Sequence, residues 1–233
     1  WPVKRSRSPL LHGYWLDHYG IDGAYVPLGV EPEHFPQALR ILPRLGFVGA
    51  NVTVPHKEVA LEVVDEAEPL ARRIGAVNTI VVREDGSLYG SNTDAFGFTE
   101  NLRQSVPNWL AEHGPAVIIG AGGAARAVAV ALIDDGAPEI RIVNRTTPRA
   151  DALAIELGPV ARVWPWIDRN HALADAALLV NTTKLGMQGE ASLDLSLESL
   201  PVEAVVTDAV YVPLKTQLLA SAESRGNQVV DGL

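Results

Sequence analysis

From Ala116 onward, short apolar runs alternate with amphipathic stretches, a pattern that builds a parallel sheet flanked by helices. Ala116-Val117-Ile118-Ile119 reads as a buried strand, 124–134 as a helix and Ile140-Arg141-Ile142-Val143 as the next strand. Further strands are predicted near 161–163, 177–181, 204–208 and 228–230, with helical stretches between them. The earlier part is less regular. Ser8-Pro9 suits a helix start, with Ser capping and Pro in the first turn, and Gly20 suits its stop. A strand is expected over 24–28 and a helical region over 32–45, limited by Pro36 and Pro43. The pattern then predicts a strand over 47–54 and helices over 56–64 and 66–74. A hairpin of 79–82 and 87–89 turns at Glu84-Asp85-Gly86, and a helix from Asp94 leads into the parallel-sheet unit. The fold class is therefore α/β: an N-terminal mixed α/β unit, 1–98, then a C-terminal Rossmann-like parallel-sheet unit, 99–233. Trp1-Pro2-Val3 reads as the tail of a strand, and Asp231-Gly232-Leu233 stops where a helix is expected, so both ends are expected to be cut short.

The glycine pattern adds chemistry to that frame. Gly120-Ala121-Gly122-Gly123-Ala124-Ala125 joins the first parallel strand to its helix. There one glycine permits a tight turn, the next lets the backbone approach a pyrophosphate, and Ala125 allows close helix–strand packing. The second strand ends in Asn144-Arg145-Thr146-Thr147-Pro148-Arg149. An acid at this point would take the ribose 2′-hydroxyl of NAD, whereas Arg145 and Arg149 offer positive charge to a 2′-phosphate. The cofactor expected is NADP.

Three polar patches in the first unit each close or follow a strand, where α/β proteins collect ligands. They are Asn51-Val52-Thr53-Val54-Pro55-His56-Lys57, Gly75-Ala76-Val77-Asn78-Thr79 and Gly90-Ser91-Asn92-Thr93-Asp94. Lys57 and Asp94 form a candidate proton-transfer couple, the lysine donating to a carbonyl oxygen and the carboxylate fixing its orientation. His56 reads as a loop residue beside Lys57, and the six histidines show no metal-ligand spacing. No metal is expected.

Composition narrows the partners. A net charge of −9 argues against nucleic acid and leaves capture of an acidic substrate to local groups. No apolar stretch approaches the ~20 residues of a membrane span, and no secretory pattern opens the chain. Zero cysteines exclude disulfides and thiolate chemistry and fit a reducing cytoplasm.

Taken together, these motifs make the chain resemble the shikimate dehydrogenase family from end to end. The resemblance rests on RSRSP at 5–9, NVTVPHKE at 51–58, GAVNT at 75–79, SNTDAFGF at 91–98, GAGGAARA at 120–127, NRTTPR at 144–149 and Asp231-Gly232. It implies a catalytic domain and a dinucleotide domain with the site in the cleft between them. Ser6 and Ser8 would bind the substrate carboxylate; Thr53, Asn78 and Asp94 would hold ring hydroxyls, with Lys57 at the reacting oxygen. Tyr211 would lie near the substrate, with Ala209 and Gly232 at the nicotinamide end. Gly120, Ala121, Gly122, Gly123 and Ala124 would take the phosphates, and Asn144, Arg145, Thr146 and Arg149 the adenine-ribose phosphate. Arg5 stands where the family commonly has histidine, and the family continues past Leu233 with a substrate-touching glutamine and a helix that packs on the first domain. The implied reaction is reversible reduction of 3-dehydroshikimate to shikimate by NADPH, on the chorismate route to aromatic amino acids, in a cytoplasmic enzyme for which a homodimer is allowed. A quinate/shikimate dehydrogenase using NAD(P) is the nearest alternative. A silent nucleotide-binding or sensor protein, or a folate-type dehydrogenase, is the reading from outside the family.

Overall fold

The computed structural model describes residues 1–4 and 6–232, so Arg5 and Leu233 lie outside it. Two sheets organise the chain. The first is four-stranded and mixed, in the order β1 (Gly49–Asn51), β3 (Thr79–Val82), β4 (Leu88–Ser91), β2 (Glu66–Ala67). The β3–β4 hairpin forms as its sequence dictates, with the turn over 84–86. Helices α2 (Phe35–Ile41) and α3 (Lys57–Val63) close one core with Phe35, Leu39, Val63, Ile80 and Leu88.

Several expectations for this unit change. Residues 24–28 are irregular rather than a strand: Pro27 has no N–H to donate, and Val26 and Leu28 stay exposed. Residues 1–3 are likewise irregular. The region 32–45 divides into a 3₁₀ turn, α2 and a second 3₁₀ turn, with Pro36 and Pro43 in the first turns of the latter two. Glu66 and Ala67 pair in parallel with Tyr89 and Gly90, so the helix expected over 66–74 is only α4 (Pro69–Ile74). Helix α1 (Ser8–Tyr19) begins one residue early, with Arg7 at the cap position, and Ser8 N–H donates to Ser6 Oγ at 3.2 Å. None of its residues is buried.

The second sheet is six-stranded and all parallel, in the order β10-β9-β8-β5-β6-β7. Its strands are β5 (Ala116–Ile119), β6 (Ile140–Val143), β7 (Ala161–Trp164), β8 (Leu178–Asn181), β9 (Val205–Asp208) and β10 (Val229–Val230). Alternation fills both faces: Ile118, Ile142 and Val180 enter one core, and Val117, Val143, Leu179 and Val206 the other. Helices α6 (Gly123–Asp134), α7 (Thr147–Leu157) and α8 (Gln217–Arg225) follow β5, β6 and β9. The links β7–β8 and β8–β9 hold no α-helix, contrary to the regular alternation expected.

Winding reverses between β5 and β8, and the crevice beyond their carboxyl ends is where such sheets bind ligands. Gly120 makes that turn possible. Its φ is +120°, and a Cβ there would lie 2.4 Å from Thr182 Oγ1. Thr182 in turn donates its hydroxyl to Ile119 O at 2.8 Å.

A small apolar layer fastens the two units. Ile74 and Ala76 from the first unit, Ala95 of α5 (Asp94–Ser105), and Ala127, Val130 and Ala131 of α6 are all buried together. Alanines let α5 and α6 approach closely, and full burial of a side chain such as Ile74 contributes about 1.5–3 kcal/mol. This layer sets the start of α3, the start of α5 and the glycine loop against one another.

Candidate functional site in the cleft

Lys57 opens α3 and Asp94 opens α5, so both side chains stand at helix starts facing one gap. Lys57 Nζ donates to Asp94 Oδ2 at 2.6 Å, with the two side chains 13% and 25% exposed. Enough solvent is excluded to strengthen the pair, and enough access remains for a ligand. Asp94 N–H donates to Asn92 Oδ1 at 2.9 Å, and the buried Asn92 donates to Ala76 O. The backbone that carries Asp94 is therefore held from behind.

The stem of Lys57 faces the other unit. A Cβ built on Gly123 would meet Lys57 Cβ at 3.1 Å and Cδ at 3.3 Å. The helix that follows the glycine loop thus starts directly on the lysine side chain.

A continuous polar line runs from this pair across the first sheet. Asn78 Nδ2 donates to Asp94 Oδ1 at 2.8 Å, and Thr79 Oγ1 donates to Asn78 Oδ1 at 2.9 Å. Asn51 Nδ2 donates to Thr79 Oγ1 at 3.4 Å, and Tyr25 donates its hydroxyl to Asn51 Oδ1 at 3.0 Å. Tyr25 reaches Ser8 and stacks on His12, with ring centroids 4.0 Å apart. Burial pushes the Tyr25 hydroxyl above its ordinary pKa, with the Ser8 hydrogen bond acting in the opposite sense. Five side-chain contacts therefore join Ser8 to Asp94.

The other expected substrate residues are placed less uniformly. Ser6 accepts from Ser8 N–H, which ties the two serines together at the start of α1. Between them Arg7 lies over the Tyr211 ring, 5.9 Å from its centroid, so the opening segment touches the second unit at the expected tyrosine. Thr53 is exposed in the turn after β1, with its carbonyl accepting from His56 N–H at 3.0 Å, and its hydroxyl is not part of the polar line. His56 stands in the bend just before α3, as expected, with its ring turned into the core. It is buried, stacked on Phe35 with centroids 4.2 Å apart, and its Nε2 meets Val30 O at 3.0 Å. Burial lowers its pKa, keeping it neutral, and its place is in the core.

In the second unit the glycine loop and the 144–149 turn line the carboxyl edge of the sheet. Gly122 has open space where a Cβ would stand, and no side chain caps α6. The first-turn N–H groups therefore face a free approach, as a phosphate requires. Asn144 donates to Thr146 O at 2.8 Å and shapes the turn, from which Arg145 projects exposed. Arg149 is extended to the first unit, donating Nη2 to Glu58 Oε1 at 2.9 Å. These residues suit a dinucleotide bearing a 2′-phosphate.

Ala209 and Gly232 meet at the end of β9. A Cβ on Gly232 would lie 2.8 Å from Asp208 O and 2.9 Å from Ala209 O, so only glycine permits this approach. Asn101 of α5 donates to the neighbouring Asp231 O at 2.8 Å, tying that edge to the helix carrying Asp94.

Sequence reasoning left several of these residues without a role. Asn51 and Thr79 lie inside two of the polar patches, but their partnership is set by the β1–β3 register, which pairs them directly. Tyr25 sat in the expected strand. Glu58 and Asp208 each stand beside an assigned residue, and that adjacency was the one available signal.

Comparisons with known proteins match the chain along most of its length. The family model described as the shikimate dehydrogenase substrate binding domain matches residues 1–80, and that of shikimate / quinate 5-dehydrogenase matches 104–186. A shikimate dehydrogenase (NADP(+)) of Paramagnetospirillum magneticum is 62% identical over 233 residues, covering 100% of this chain and 84% of the relative. A shikimate 5-dehydrogenase structure from Thermus thermophilus, in complex with NADP(H) and shikimate, is 41% identical with a TM-score of 0.85, over 99% of this chain and 84% of that one. A quinate dehydrogenase from Corynebacterium glutamicum in complex with NAD is 30% identical with a TM-score of 0.88, over 99% of this chain and 84% of that one.

Proposed function

The chain belongs to the shikimate dehydrogenase family, and from that membership we propose how its cleft works as an NADP-dependent oxidoreductase. The reaction is the reversible reduction of 3-dehydroshikimate to shikimate, a step of aromatic amino acid biosynthesis. One observation carries the assignment of roles: the Lys57–Asp94 pair lies against Gly123, where the dinucleotide loop becomes helix.

Substrate is held by the first unit. Ser6 and Ser8 receive its carboxylate, and Thr53, Asn78 and Asp94 its ring hydroxyls. Tyr211 lies near it from the second unit. Lys57 donates a hydrogen bond to the ring carbonyl oxygen and passes it a proton as negative charge develops, while Asp94 and Asn78 keep the ammonium aimed. In the reverse direction the same amine takes the hydroxyl proton. NADPH, when bound, supplies the hydride. Gly120, Ala121, Gly122, Gly123 and Ala124 hold its phosphates, Asn144, Arg145, Thr146 and Arg149 its 2′-phosphate, and Ala209 and Gly232 the nicotinamide end. The unit boundary is placed between 98 and 99, within α5.

The small-molecule partners are shikimate, 3-dehydroshikimate and NADP. No described helix is long and apolar enough to cross a membrane. The proposal extends to a cytoplasmic homodimer without nucleic-acid or membrane partners.

The rival with a specific observation behind it is quinate oxidation with NAD, given the fold shared with the quinate enzyme. Steady-state kinetics with shikimate and quinate, each with NADP⁺ and NAD⁺, decide between them. Shikimate with NADP⁺ is expected to give the highest kcat/KM; quinate with NAD⁺ in that place overturns the assignment. Arg149→Ala is expected to weaken NADPH roughly tenfold or more, as loss of a charged hydrogen bond does, and NADH far less. Fluorescence titration of both nucleotides checks it, and equal weakening removes Arg149 from the 2′-phosphate site.

A further inference from the structure

We propose that Glu58 is a specificity-determining residue that competes with the cofactor's 2′-phosphate for Arg149. This rests on the assignment of Arg149 to that phosphate. Glu58 follows Lys57 in the first turn of α3 and reaches across the cleft to two arginines of the second unit. Its Oε1 accepts from Arg149 Nη2 at 2.9 Å. Its Oε2 lies 4.0 Å from Arg126 Nε, beyond hydrogen-bond reach. Arg126 itself is paired by Nη1 and Nη2 to Glu156, the latter at 3.1 Å to Oε1. The Arg126 side chain is only 11% exposed, and its Nε is a buried donor with no partner.

That orphan gives Glu58 a second place to go. A phosphate that takes Arg149 leaves the Glu58 carboxylate without its cation, and the nearest unsatisfied donor is Arg126 Nε. The exchange satisfies a buried group that the present arrangement leaves unmet, so Glu58 is released at little cost. Until released, it occupies the guanidinium that the phosphate must take. Glu58 thus lowers affinity for the 2′-phosphorylated nucleotide, while Arg149 confers the preference for it. An enzyme that must discharge NADP⁺ after each turnover gains from such a counterweight.

The test titrates NADPH and NADH against the intact protein and the variants Glu58→Gln, Arg149→Ala and the double variant. Because the Glu58–Arg149 pair is partly exposed, E58Q is expected to tighten NADPH by only about three- to fivefold and leave NADH within about twofold. In the R149A background the same change is expected to give no gain, because the carboxylate then has no cation to withhold. Glu62→Gln, on the exposed side of α3, controls for net charge and is expected to change neither nucleotide. Unchanged or weakened NADPH binding in E58Q overturns the inference, and so does a gain that persists in R149A. If R149A itself weakens both nucleotides alike, the 2′-phosphate assignment fails instead, so the two failures are distinguishable. Should E58Q not fold, Glu58→Asp retains the charge but shortens its reach, and a smaller gain in NADPH affinity is expected.

Discussion

Lys57→Met is expected to reduce kcat by roughly 10²- to 10⁴-fold, the usual worth of a positioned proton donor, while NADPH affinity changes less than about threefold. Methionine is the informative choice because the lysine stem has a second contact. Its Cβ and Cδ lie 3.1 and 3.3 Å from the point where Gly123 would carry a side chain. Lys57→Ala removes the ammonium and the stem beyond Cβ, whereas Met removes the ammonium and keeps an apolar stem of similar length. K57A should therefore weaken NADPH slightly more than K57M, with turnover equally low in both. Single-turnover reduction of 3-dehydroshikimate, measured beside nucleotide titration, separates the two effects. A K57M enzyme that turns over within tenfold of the parent removes Lys57 from the chemistry. Loss of nucleotide binding in step with turnover makes it a structural residue.

The same pair shows how far the chain could be read in advance. Lys57 and Asp94 were legible because each closes a local motif at a helix start, and position at helix starts is a short-range property. The dinucleotide unit was legible for the same reason: strand, glycine turn, helix and second strand follow one another without interruption from Ala116 to Val143. What could not be read depends on register and distance. Asn51 meets Thr79 only because β1 and β3 pair antiparallel, and Tyr25 joins them through an irregular segment that looked like a strand. Glu58 and Arg149 are 91 residues apart and meet across two units. Two-residue strands such as Glu66–Ala67 carry too little periodicity to stand out, so they merged with the helix that follows. His56 was legible as a loop residue beside Lys57, while its burial against Phe35 is a tertiary fact.

Asp208→Ala is expected to cost about 2–4 kcal/mol of stability, because three donors lose their acceptor in a buried place. Asp208 is 1% exposed at the end of β9. Its Oδ1 accepts from Asn181 Nδ2 at 2.9 Å and Val210 N–H at 3.0 Å, and its Oδ2 from the Thr216 hydroxyl at 2.7 Å. Asn181 is fully buried and orders the loop after β8, accepting from Thr183 and donating to Leu185 O. Thr216 caps α8 through Leu219 N–H. One carboxylate therefore ties the loops after β8 and β9 to the start of α8, and the span it braces includes Ala209 and Tyr211. Thermal unfolding should show D208A melting several degrees below the parent, since ~1 kcal/mol moves a domain of this size by about 2–4 °C. Asp208→Asn keeps an acceptor for Asn181 and Val210 and should cost less.

The pH dependence of that difference follows from burial. Removal from water pushes the Asp208 carboxyl above its ordinary 3.8, outweighing the hydrogen bonds from Val210, Thr216 and Asn181 that favour the anion. A carboxyl with a raised native pKa binds more protons folded than unfolded between the two values. Its contribution is therefore complete below about 3.8 and is lost as pH rises through the native value. Asparagine does not titrate. The stability gap between the parent and D208N should consequently be widest in acid and narrow toward neutral pH, as measured by denaturant unfolding across that range. A gap that widens with rising pH would mean that the three donors outweigh burial and hold Asp208 as the anion.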